Sequence, residues 1–354
     1  MVMFEVKKPH FETLDGLRGL AAIAVVIFHF MEIAVPDYHD SFIAHAYLAV
    51  DFFFCLSGFV IAYAYDQKLA KIGVWEFLKL RVIRLHPLVV IGSVIGLLAF
   101  IFDPFSNLYG IYADKTWLMF LSSCLMIPYP LVHERYFNLF HFNPPTWSLF
   151  WEYIANIVYA FILVRLKNKL LWVLTIVAAG LLFYESKRSG FLGVGWGGEN
   201  VSGGAIRVGY SFLAGMLLFR LKWRIQSKMG FWPVAILLTL TFLIPYSEKY
   251  NWFVDPLVVV FYFPVLILLG AGARTNSKIC RFSGDLSYPL YMVHYPFIWL
   301  FMSYVEKYKP ALGEMIVIMI TGTLFLILFA YAIFRYIDAP VRKLILSRTA
   351  SRRA

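Results

Sequence analysis

The sequence predicts an all-α, polytopic integral membrane protein: a helical bundle of about ten transmembrane helices plus one short re-entrant or interfacial segment. Three observations carry this. The 354 residues are 61% hydrophobic and 19% aromatic, with a mean hydropathy of +0.71; a soluble chain is nearer half apolar and about a quarter charged. The apolar residues come in long blocks that fill a helix all round, which argues against the alternating pattern of a membrane barrel. The basic residues gather at the block ends that a ten-span arrangement puts on one side.

Leu14 to Val35 forms the first span and Phe42 to Tyr65 the second, with the polar loop MEIAVPDYHD between them. A basic connector, DQKLAKIGVWEFLKLRVIRLHP, leads to a third span from about Leu88 to Phe102. The block Trp117 to Tyr129 is about a dozen residues, short of the ~20 needed to cross, so it is read as re-entrant or interfacial. Spans then follow at Thr146 to Arg165, Leu170 to Tyr184, Ala205 to Leu221, Phe231 to Tyr246, Phe253 to Ala271, Leu286 to Tyr304 and Gly313 to Tyr336. The glycine-rich GVGWGGENVSGG lacks the Lys-Ser/Thr of a phosphate loop and is read as a flexible outer loop.

With ten crossings and a cytoplasmic N-terminus, only eight of the 32 Lys and Arg lie outside. The chain is therefore read as a single membrane domain over 1–354, with a cytoplasmic tail at 1–13 and a basic cytoplasmic tail at 338–354. Both termini face the cytoplasm of a plasma (inner) membrane. The net charge of +11 follows largely from this topology, and the tail RKLILSRTASRR suits an anionic lipid leaflet; nothing calls for nucleic acid. Cys55, Cys124 and Cys280 lie far apart with no C-x-x-C spacing, so neither a disulfide framework nor a metal site is expected. The first apolar block is longer than a signal-peptide core and reads as an uncleaved anchor.

Several polar residues do not belong in lipid. Arg18 and His29 are eleven positions apart on the first span, so the imidazole lies roughly 16 Å beyond the guanidinium, about half-way through a ~30 Å core. An ionisable group at that depth marks a functional site, although it can also serve only to bond a neighbouring helix. Arg81 and Arg84 share one helix face, suited to bidentate pairing with phosphate or to simple positive-inside snorkelling. Glu152, in PPTWSLFWEY, is roughly 9 Å below the outer end of its span and must pair or take a proton. It is one candidate partner for His29; Glu32, one turn along the same helix face, is another. Asp51 is read as capping or pairing locally, and Ser57-Gly58 as close helix packing. Ser287, Tyr288, Tyr291 and His294 sit in one proline-interrupted span, where polar groups often line cavities.

Together these stretches resemble the acyltransferase-3 family of membrane O-acyltransferases. The likeness lies in LDGLRGLAAIAVVIFHF, VDFFFCLSGFVIAY, RVIRLHP, PPTWSLFWEY and LSYPLYMVHYP, in that order. From about Leu170 to Asn276 it rests chiefly on hydropathy. The resemblance implies acetyl-CoA or another acyl-CoA as a cytoplasmic donor, and a hydroxyl acceptor on a surface glycan or a small molecule. It gives His29 the catalytic role and Arg18, Arg81 and Arg84 the donor-binding roles. Many relatives carry an extracytoplasmic hydrolase-like domain, so an acceptor step needing one would use a separate protein. A neutral imidazole can take the proton as a hydroxyl attacks a thioester, oriented by an acidic neighbour such as Glu152 or Glu32. A transporter of a proton-coupled or lipid-linked substrate is the rival class.

Overall fold

The computed structural model describes residues 10–223, 225, 229–273 and 277–351. The basic residues Lys7, Lys8, Arg224, Lys228, Arg274, Arg352 and Arg353, counted above as inner charges, lie outside the described residues, as does most of the N-terminal tail. Among the described residues the fold is all-helical, with no strand; a single bridge joins Asn138 and Gly197.

Among the described residues, seven helices are long and apolar enough to cross a membrane: Glu12–Ala34, Ala44–Tyr65, Val74–Ile101, Asn168–Ser189, Val201–Arg220, Asn251–Gly272 and Leu312–Arg348. The other three expected spans take different forms. Thr146–Phe161 has 16 residues and Phe231–Phe242 has 12. The segment expected at 286–304 is divided into Lys278–Val293 and Tyr295–Tyr308. The short block forms Thr116–Leu125, whose 10 residues rise roughly 15 Å, half of a hydrocarbon core.

We number the helices used below as α1 (Glu12–Ala34), α2 (Ala49–Tyr65), α3 (Val74–Ile101), α4 (Thr146–Phe161), α5 (Val201–Arg220), α6 (Lys278–Val293) and α7 (Tyr295–Tyr308). Helix α1 opens with Glu12 and Asp15 in its first turn, where acids oppose the helix dipole. Pro36 follows its end. It packs most extensively along α6. A Cβ at Gly284 would collide with Asp15, so glycine is required there for the two backbones to approach. Glu12 clamps the same contact, accepting from the Ser277 backbone N–H at 2.7 Å and from Arg281 at 2.5 Å.

Helix α2 packs against α5 in the same manner, and Gly58 has the backbone of Phe212 where a side chain would be. Between them lies the Asp51–Arg207 ion pair, 2.6 Å long, with the side chains 0% and 1% exposed. Sequence reading gave Asp51 a local partner; its partner is instead 156 residues away, because the α2–α5 contact buries both charges together. Arg207 also donates to the carbonyls of Val194 and Tyr47, which pins the glycine-rich loop to the bundle. That loop is therefore not the flexible segment expected. Asn200 Oδ1 accepts from the backbones of Gly195 and Gly197, and Leu139 N–H donates to the Trp196 carbonyl.

Two prolines matter for function. Helix α3 runs unbroken through Pro87, so the helix face expected to carry Arg81 and Arg84 is continuous with the third span. Between α6 and α7, Pro296 has no N–H for the Met292 carbonyl four residues earlier. Asn143 Nδ2 supplies that donor, at 2.9 Å.

Removing one member of a fully buried ion pair strands the other at a cost of about 3–5 kcal/mol. Asp51→Ala should therefore lower the melting temperature of the detergent-solubilised protein sharply, and Asp51→Glu much less. Equal melting of Asp51→Ala and the parent would show that Arg207 is held by its carbonyl partners alone.

Candidate active site

Among the described residues, two cavities within the bundle hold the residues singled out above. The larger, about 600 Å³, is lined by His29 and Glu32 from α1, by Arg207 from α5, by Tyr291 and Trp299 from α6 and α7, and by the loops around Tyr38, Asn138 and Trp196. The smaller, about 140 Å³, is lined by Arg18, Arg81, Arg84, Glu152, Ser57, Ser287 and Tyr288 among others. We call them the histidine cavity and the arginine cavity.

In the histidine cavity, His29 Nδ1 lies 3.1 Å from Glu32 Oε2, and the other carboxylate oxygen accepts from Tyr38 OH at 2.6 Å. A carboxylate only accepts, so Nδ1 carries the proton and Nε2 is left with its lone pair. The ring is further fixed by stacking on His294, centroids 5.4 Å apart, and by the edge of Tyr295 at 4.7 Å. His29 remains 21% exposed. A carboxylate in this position favours one tautomer of the neutral imidazole.

In the arginine cavity, Arg18 donates to Ser287 Oγ and to the Gly284 carbonyl, both at 2.9 Å. Arg81 donates to Glu152 at 2.9 Å, while its Nε is buried without a partner among the described residues. Among the described residues no protein group bonds the guanidinium of Arg84, which is exposed. Three arginines around one small space, one of them uncommitted, fit an anionic ligand.

The family model described as an acyltransferase domain matches residues 11–335. The chain belongs to this acyltransferase family. Protein 2 in the picA locus of Rhizobium radiobacter is 38% identical over 161 residues, covering 42% of this chain and 81% of that protein. The O-acetyltransferase OatA of Staphylococcus aureus (strain NCTC 8325 / PS 47) is 26% identical over 366 residues. That match covers 93% of this chain, which spans 57% of the relative's length. No solved structure matches the chain.

Set beside the family reading of the motifs, the geometry separates the predicted residues into groups. His29 lies in one cavity, and Arg18, Arg81 and Arg84 meet in the other although they come from two helices. Glu152 is not beside His29. It accepts from Arg81 and from Ser57 Oγ at 3.0 Å, inside the arginine cavity, and Glu32 is the acid that reaches His29. The sequence argument measured depth from Thr146 as if that were the membrane surface. Thr146 is in fact fully buried, because the preceding loop folds down into the bundle.

Ser57, Ser287, Tyr288 and Tyr291 line the arginine cavity, and Tyr291 lines both. Asp51 and His294 are fully buried and line neither. His294 Nδ1 donates to the Tyr291 carbonyl at 2.9 Å and its ring supports His29. Sequence reasoning missed Arg207, Tyr38 and Tyr295. An arginine two residues inside an expected span was a signal for the first; nothing local marks the two tyrosines. Among the described residues no group of three His, Cys, Asp or Glu stands close enough to hold a metal ion.

Exposure predicts a reactivity order that needs no assumption about substrate. Diethylpyrocarbonate applied to the folded protein should modify His29 and spare His45 and His294, both 0% exposed. Peptide mass spectrometry reads the result, and modification of His294 ahead of His29 would contradict the cavity assignment.

Proposed function

We propose that the protein is a membrane O-acetyltransferase that moves an acetyl group from cytoplasmic acetyl-CoA to a hydroxyl of a cell-surface glycan, with His29 as general base. The observation that carries this reading is the His29–Glu32–Tyr38 chain of hydrogen bonds at the wall of one cavity, with three arginines in the adjoining cavity. In the proposed step the acceptor hydroxyl oxygen attacks the thioester carbonyl carbon while His29 Nε2 takes the hydroxyl proton. Glu32 holds the Nδ1–H and stabilises the imidazolium. The C–S bond then breaks, the acetyl group stays on the acceptor oxygen, and the proton passes to the departing CoA sulfur.

Arg84, Arg81 and Arg18 are assigned to the anionic end of the donor. The uncommitted Arg84 and the unpartnered Nε of Arg81 support this, since a phosphate would give both a partner. Glu152 holds Arg81 in position. The acceptor is assigned to the histidine cavity. Its aromatic walls, including Trp147, Trp196 and Trp299, suit stacking against a sugar ring, and its volume of about 600 Å³ is in the range of small-molecule sites.

The cavities also fit the topology inferred from charge. Around the histidine cavity are the segments near 38, 136, 193 and 306, all outer in a ten-span arrangement with both termini inside an inner membrane. Arg18, Arg81 and Arg84 of the arginine cavity were all assigned to the inner side. Donor and acceptor would then enter from opposite faces and meet near His29.

A general base contributes about 100- to 10,000-fold in rate. His29→Gln should therefore abolish acetyl transfer in sealed proteoliposomes supplied with acetyl-CoA on the arginine side, while CoA binding persists. Near-parental turnover by this variant, or acetylation only of acceptor on the donor side, would refute the mechanism.

Donor contact makes a separate prediction. Arg84→Ala should weaken CoA binding measured by calorimetry in a way that added salt mimics, and Arg84→Lys should restore it only in part because the bidentate fork is lost. Unchanged binding in both variants would leave Arg84 as a topology signal.

A further inference from the structure

The two cavities abut. Val50 and Tyr291 line both, and Tyr291 OH is hydrogen-bonded to Ser148 Oγ at 2.8 Å. Ser148 lines the arginine cavity, while its chain neighbour Trp147 lines the histidine cavity. All three partition residues are buried: Val50 and Tyr291 are 7% exposed and Ser148 is 4%. They come from three different helices, α2, α4 and α6, so the partition is a place where separate elements converge rather than the wall of one helix. Phe53 closes the arginine side by meeting the Tyr291 ring edge-on, with centroids 5.9 Å apart. On the other side His294 donates to the Tyr291 carbonyl, which ties the backbone of the partition to the ring that supports His29.

We infer that Val50, Ser148 and Tyr291 form a throat between the two cavities, and that its width sets how long an acyl group the enzyme transfers. The inference rests on the donor and base assignments above and adds the specificity determinant. A thioester held from the arginine cavity can reach His29 only by entering this partition. The acyl carbons must then occupy the space that Val50 and the Tyr291 ring bound. The smaller cavity offers only about 140 Å³, and much of its edge is committed to polar groups. A two-carbon acyl group demands little of that space, whereas each further methylene must displace a buried side chain in a close-packed region. The Tyr291–Ser148 hydrogen bond opposes such displacement, because moving the ring strands a buried hydroxyl.

The test compares kcat/KM for butanoyl-CoA with that for acetyl-CoA, using the full-length protein in proteoliposomes and a saccharide that becomes acetylated in cells only when they carry the parent protein. One methylene more or less in an apolar pocket changes such a ratio by about tenfold or more. Val50→Ala and Tyr291→Ala should each raise the butanoyl to acetyl ratio by about tenfold or more, and Val50→Leu should lower it. Because the readout is a ratio, loss of folded protein cancels, and Val50→Ala carries the test if Tyr291→Ala does not fold. An unchanged ratio in the variants, alongside active acetyl transfer by the parent, would overturn the throat alone. Failure of the parent to transfer from either acyl-CoA would overturn the donor assignment and the throat with it.

Discussion

Helix α1 is unbroken from Glu12 to Ala34, so the eleven residues between Arg18 and His29 hold the two side chains at a fixed separation of roughly 16 Å. Everything around the site accommodates that ruler. One end stands in the arginine cavity and the other in the histidine cavity, and α6 runs beside α1 to serve both. Ser287 meets Arg18, Tyr291 stands at the partition, and His294 stacks on His29, each a helical step further along. A rigid spacer of this kind suits an elongated donor whose anionic end and reactive end must be recognised together.

Several charged groups among the described residues are paired across different elements, as an apolar surrounding favours. Asp66 accepts from Arg220 and from Tyr159, Glu12 from Arg281, and Asp51 from Arg207. Beside the histidine cavity, which Glu306 lines, Arg135, 2% exposed, donates to Ser303 at 2.6 Å and to Glu306, and Ser303 in turn donates to Asp103. Such pairs add little net stability over apolar packing of the same volume. Their effect is to fix which helices neighbour which, since a slip of one helix would strand a charge.

How much of this could be read from the chain depended on range. The Arg18–His29 spacing and the Arg81–Arg84 face are properties of a single helix, so counting residues was enough, and the motifs pointed to the right family. The glycine-rich loop was misjudged because its order comes from Leu139 and from Arg207, which is itself held by Asp51 far away in sequence. Glu152 and Glu32 both stood as candidate partners of His29, and counting along single helices could not choose between them because the partner of Glu152, Arg81, comes from another helix. The third span was begun at about Leu88, whereas its helix starts at Val74 and carries Pro87 inside it.

The Asn143–Met292 hydrogen bond has a bearing on how the chain is assembled. The carbonyl exposed by Pro296 is costly in lipid until an outside donor reaches it. That donor lies in a segment made and inserted about 150 residues earlier. The helical pair at 278–308 is therefore synthesised after the amide that satisfies its exposed carbonyl. Its docking surface is specified by the chain that precedes it.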